Sequence, residues 1–203
     1  MSRSLRSLIR DRRGATAVEF SLVAGIMILG SLTLIDFGRF LYGWNQQAQA
    51  VRLGARLAAT HNPVAPDLST MTGLETGVEV GDPVGPYERV CTSTSCSGGG
   101  GHSSAAFNRI FFGADAQCGE AASEAAMGMC DTMTSLQPGQ VTVTYRNSGA
   151  DVAGTAGALR PLISVRLSGV SSGAVFIDTL WSALGALPDT EVTVLAEDMR
   201  TSS

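Results

Sequence analysis

The sequence predicts an α+β chain: a long N-terminal transmembrane and stalk helix, then a small disulfide-bearing domain with an antiparallel β-sheet. Three observations carry this reading. Ala15 to Ile35 is a run of 21 residues with a single charge, Glu19. Apolar residues then recur at spacings of three and four as far as Thr60, the one-face period of a helix. The second half holds short segments of alternating polarity and four cysteines, Cys91, Cys96, Cys118 and Cys130.

As a helix, the apolar run would span about 31 Å at roughly 1.5 Å per residue, close to the hydrocarbon thickness of a bilayer. Residues 1–14 carry five arginines against Asp11, with Arg10, Arg12 and Arg13 nearest the run. Basic residues concentrate on the cytoplasmic side of a span. The expectation is therefore a single-pass membrane protein with a cytoplasmic N-terminus and everything after Asp36 across the membrane. The other residues hold nine arginines against 17 acids, and the chain has no lysine. An acidic body with a short basic tag lacks the basic face of a nucleic-acid binder. A cleaved secretory signal would want a shorter apolar core followed by a small-x-small site, and no clear one follows. A plain, uncleaved signal anchor accounts for the length and the arginines but leaves Glu19 unexplained.

Asp36 marks the exit from the run. Beyond it Phe37, Phe40, Leu41, Trp44, Ala48, Val51, Ala55 and Ala58 form one helical stripe, and Asn62-Pro63 stops the helix. A continuous helix over 15–61 would be about 70 Å long. Gly38, Gly43 and Gly54 weaken it, each by roughly 1 kcal/mol relative to Ala, and favour a bend near the membrane surface. Tyr42 and Trp44 suit the headgroup zone, although Trp44 also lies on the stripe and is expected to pack on the distal domain. Arg52 and Arg56 read as a solvated face or as partners for distal acids.

Asn62 to Pro86 reads as loop with a short strand at Gly77–Val80, and Ser97–Ser104 (SGGGGHSS) as a flexible loop. Ser104–Phe112 is expected to be a short helix with Phe107, Ile110 and Phe111 on its apolar side. Val141–Arg146, Leu162–Leu167 and Glu191–Ala196 alternate as half-buried strands of an antiparallel sheet. Ala174–Leu180 fits strand or helix. The cysteines all follow the span, in an oxidising compartment if the topology holds. Four cysteines allow three pairings. Cys91–Cys96 with Cys118–Cys130 is preferred, because each closes a local loop. A zinc site is the rival; it would lack a close CxxC pair, and His102 would be the only nearby imidazole.

Evidence for an enzyme is thin. Gly169-Val170-Ser171-Ser172-Gly173 has the G-x-S-x-G form of a nucleophile elbow, but no histidine follows Ser171 to act as base. Gly98–Gly101 is not followed by the Lys-Ser/Thr of a phosphate loop. His61 and His102 show no metal spacing, and the acids are scattered. No cofactor, no metal and no small-molecule substrate is expected.

The stretch Gly14-Ala15-Thr16-Ala17-Val18-Glu19-Phe20 resembles a prepilin peptidase site. With the preceding Asp11-Arg12-Arg13, and with Asp36-Phe37-Gly38-Arg39 and Gly54-Ala55-Arg56, it is similar to TadE-like pseudopilins or minor pilins of tight-adherence (Flp) pilus systems. The related TadF and TadG proteins share the N-terminal pattern, so the subtype stays open. The resemblance implies a basic prepilin-type leader (1–14), a transmembrane helix (15–36), an amphipathic stalk helix (37–61) and an extracytoplasmic α+β domain (62–203). It implies cleavage between Gly14 and Ala15 by a prepilin peptidase, with Glu19 and Phe20 part of the recognised site. Gly14 suits a cleft that grips backbone closely, since it has no side chain. By analogy with pilins, the Glu19 carboxylate would pair with the new α-amine of Ala15 on an adjacent subunit. The implied partners are the peptidase, other pilins or pseudopilins, pilus assembly components and the membrane. The implied role is assembly of an adhesive pilus. The alternative is an uncleaved, signal-anchored periplasmic binding or adhesin module.

Overall fold

The structure is a computed structural model that describes residues 13–119, 121, 123–156, 159–171, 174–175 and 189–196. Internal contacts divide the chain into two units, Met1–Tyr42 with Ser172–Ala186, and Gly43–Ser171 with Leu187–Ser203. Helix α1 runs from Arg13 to Thr60. It ends one residue before the expected His61, just ahead of Asn62-Pro63.

Five strands, β1 (Glu88–Cys91), β2 (Cys96–Ser97), β3 (Val141–Arg146), β4 (Leu162–Leu167) and β5 (Thr190–Leu195), form one sheet in the order β2-β1-β3-β4-β5. Every neighbouring pair is antiparallel. On β3 the alternation does what the sequence suggests: Val141, Val143 and Tyr145 are fully buried, while Thr142 and Thr144 are half-buried and Arg146 is exposed. Helix α2 (Ser104–Phe112) is capped by Ser103, whose hydroxyl accepts from the Ala106 N–H at 3.2 Å. Its Phe107, Ile110 and Phe111 are buried in the same core as Val51, Ala55 and Ala58 of α1. A four-residue helix, α3 (Met129–Thr132), adds Met129 to that core.

Several expectations are corrected. Gly77–Val80 is not a strand; Gly77 instead ends a 3-10 turn over Leu74–Thr76. A second such turn covers Pro66–Ser69. Over residues 87–96, where the sequence suggests no element, lie β1 and the start of β2: β2 pairs with β1, and β1 pairs with β3 far along the chain. The SGGGGHSS segment is an exposed loop from Gly98 to Gly101, as expected, but it makes one close approach. Gly100 adopts φ +87° directly against Asp67, where a Cβ would come within 2.0 Å of the carboxylate. That carboxylate takes an ion pair from Arg89 at 2.9 Å. The Ala174–Leu180 question lies, from residue 176 onward, outside the described residues.

Two disulfides staple the distal unit, Cys91–Cys96 and Cys118–Cys130. The first joins residues that are also register partners on β1 and β2. The second closes a longer loop, and just past it the Asp131 carboxylate accepts from two of the loop's backbone donors, the Gly119 N–H at 2.9 Å and the Gly128 N–H at 2.7 Å. One acid thus satisfies two backbone donors that the irregular loop leaves without a ladder. Tyr145 performs a similar task in the core: its hydroxyl accepts from the Val64 N–H at 3.0 Å, and the Val64 carbonyl accepts from Ser103 at 2.8 Å. The segment that follows the helix stop is therefore tied to both β3 and the start of α2.

Candidate membrane and assembly segment

The candidate site is the first part of α1. Its sequence is rich in Leu, Ile, Met and Ala, which favour helix or cost it little. The residues that interrupt the apolar pattern satisfy themselves locally. Ser31 donates to the Met27 carbonyl and Thr33 to the Leu29 carbonyl, both at 2.8 Å, and Ser21 donates to the Ala17 carbonyl. Each hydroxyl bonds one turn back along its own helix, which removes the need for water. Most of the large side chains are exposed, Phe20 by 75% and Leu34 by 74%. The most apolar 18-residue window of this helix has a mean hydropathy of 2.1, and none of it is buried. Among the described residues this is the one helix long and apolar enough to cross a membrane. Exposure of this kind would be costly in water, at roughly 25 cal/mol per Å² of apolar surface. In lipid it costs nothing.

Glu19 and Phe20 sit on this helix, and both are exposed. The backbone of Gly14 and Ala15 lies at its start. Arg13 is its first residue, while Arg10 and Arg12 lie outside the described residues. The structure thus places Gly14, Ala15, Glu19 and Phe20 on one short helical stretch.

The predicted stripe is only partly a packing face. Val51, Ala55 and Ala58 are buried, Trp44, Phe40 and Ala48 are half-buried, and Phe37 and Leu41 are exposed. Tyr42 is 66% exposed, and Arg52 and Arg56 are exposed. Asp36, which marks the exit from the apolar run, is only 5% exposed, and its Oδ1 accepts from the Val175 N–H at 2.6 Å. Gly54 also has a role beyond weakening the helix: a Cβ there would lie 2.4 Å from Sδ of Met129. Sequence reasoning missed Met129 and Val175, whose partners Gly54 and Asp36 are remote in the chain, and Asp131, whose partners Gly119 and Gly128 are near but lie in a segment with no regular period.

The residues weighed for chemistry are occupied elsewhere. His61 Nδ1 lies 3.1 Å from the Leu57 carbonyl, and His102 Nε2 lies 3.1 Å from the Thr92 carbonyl. Ser171 lies in the loop after β4. Among the described residues no group of three or more His, Cys, Asp or Glu could hold a metal.

Residues 14–56 match the family model of TadE-like proteins. This is the family that the sequence pattern around Gly14 and Glu19 resembles, and the match begins at Gly14 itself. No curated protein and no solved structure matches the chain.

Proposed function

We propose that the chain is a TadE-like minor pilin or pseudopilin that takes part in assembling an adhesive Flp-type pilus. The observation that carries this is a coincidence in position. The segment matching the TadE-like family begins with the stretch whose large apolar side chains are exposed along one helix, with a basic tag immediately before it. On this reading the arginines hold the N-terminus in the cytoplasm. A prepilin peptidase cuts between Gly14 and Ala15. The α-amine released on Ala15 pairs with the Glu19 carboxylate of a neighbouring subunit, so two charges that are each unfavourable near lipid favour lateral packing together. The distal disulfide domain meets other pilus components outside the inner membrane. We assign the chain no catalytic role and no cofactor.

The test is the N-terminal sequence of the protein extracted from membranes. A start at Ala15 is expected. A start at Met1 or Ser2 would replace this reading with an uncleaved, signal-anchored periplasmic binding or adhesin module.

A further inference from the structure

We infer that Asp36 is a positioning residue: it latches the connection between β4 and β5 onto α1 at the end of the apolar run. Its neighbours argue against burial by the helix itself, since Ile35 is 62% exposed and Phe37 48% while Asp36 between them is 5% exposed. What covers it is chain from the far end of the sequence. Ala174 is 6% exposed, and the next residue, Val175, gives its backbone N–H to Asp36 Oδ1 across 139 positions. All three residues belong to the same structural unit.

The chemistry favours a specific latch. A carboxylate taken out of water is costly unless donors replace the lost hydration. A backbone N–H outside a strand or helix equally needs an acceptor. Each group meets the other's need, and the bond ties a loop to a helix. An apolar residue at 36 would serve a purely lipid-facing position better. The acid is useful there only if something must be held.

Hydrogen exchange on the full chain in detergent micelles tests this, with the Val175 amide as reporter and the β4 amides as internal reference. In the wild type the Val175 amide is expected to be protected. Asp36→Val should speed its exchange roughly tenfold or more, the effect of losing a hydrogen bond to a charged group, with β4 unchanged. Asp36→Asn keeps an acceptor oxygen and should stay close to the wild type. The latch is overturned if the Val175 amide exchanges as fast in the wild type as in Asp36→Val, if Asp36→Asn behaves like Asp36→Val, or if β4 loses protection too. That the latch sits where the helix leaves a bilayer rests on the proposed function. Exchange in micelles reads the latch alone and N-terminal sequencing reads the processing, so the two fail separately.

Discussion

Residues 16–35 and 43–60 belong to one helix and are both rich in apolar side chains, yet they meet opposite surroundings. In the first stretch Val18, Phe20, Ile26, Met27 and Leu34 are all more than 60% exposed. In the second Ala50, Val51, Ala55 and Ala58 are fully buried, with Leu57 and Ala59 nearly so. Side-chain size accompanies the difference. Bulky residues that project freely suit a fluid apolar solvent, whereas Ala and Gly let other elements come close, as Met129 does at Gly54. Hydropathy separates the two as well, since the second stretch carries Asn45, three glutamines, Arg52 and Arg56 where the first carries a single charge, Glu19. The apolar residues of the second nonetheless find their partners within the chain, while the large ones of the first stay exposed.

The largest expected effect is on the exposed stretch. Ile28→Arg places a charge near the middle of the apolar run and should oppose insertion by about 3 kcal/mol. Alkaline extraction of membranes should then release the variant, while the thermal unfolding of the distal domain stays unchanged. A variant that remains fully in the membrane fraction would mean that this face does not meet lipid. Next come the disulfides, which matter only to the buried side of the comparison. Replacing Cys118 and Cys130 by Ser opens a loop of 12 residues' separation and should cost about 3 kcal/mol by loop-closure entropy. Replacing Cys91 and Cys96 opens one of 5 and should cost about 2 kcal/mol. Denaturant unfolding of the two double variants measures both, and equal losses would show that loop length does not govern them.

How much of this was legible beforehand depended on how far apart the interacting residues lie. The strands at Val141–Arg146 and Leu162–Leu167 have their predicted bounds, because alternation is a local property. The strand expected at Glu191–Ala196 begins and ends one residue earlier, at Thr190–Leu195. Ser104–Phe112 was readable from its Ser start and its aromatic spacing. By contrast β1 is four residues long, two of them Glu and Arg, and it is a strand because β3 lies beside it. The stripe over Phe37 and Leu41 had the right period, yet both side chains stay exposed, since a period reports a face and not what covers that face. At the candidate site the Gly14–Phe20 pattern was visible locally, and the family match falls on it. Asp36 was legible only as the end of the apolar run, because its partner at Val175 leaves no trace in the sequence around it.

A finer break of the comparison tests whether small residues on the buried stretch are there for close approach. Gly54→Val pushes a branched side chain into Met129 and should cost about 2 kcal/mol, the usual penalty of overpacking. Shortening the opposing residue should relieve it, so the double variant Gly54→Val with Met129→Ala should recover part of the loss relative to Met129→Ala alone. Additive losses in the cycle would remove Met129 as the reason for the glycine.

The smallest effect concerns the polar tie that holds the chain just beyond the buried stretch. Tyr145→Phe removes the acceptor of the Val64 N–H without changing the packed ring, and should cost about 1 kcal/mol. It should also alter the alkaline limb of stability. Burial pushes the Tyr145 phenol well above its ordinary range, and burial, followed by the nearby Asp151 charge, does the same to Tyr87. Above about pH 10 the unfolded chain releases these protons while the folded chain keeps them, so the unfolded state binds fewer and stability falls as pH rises. Below that pH both states are protonated and the groups contribute no slope. Unfolding measured between about pH 8 and 11 should therefore show a decline at the alkaline end. The decline should be shallower in Tyr145→Phe than in the wild type, with Tyr87 sustaining the remainder. An identical slope in the two proteins would mean that the Tyr145 hydroxyl is not held neutral in the core, and the tie to Val64 would lose its footing.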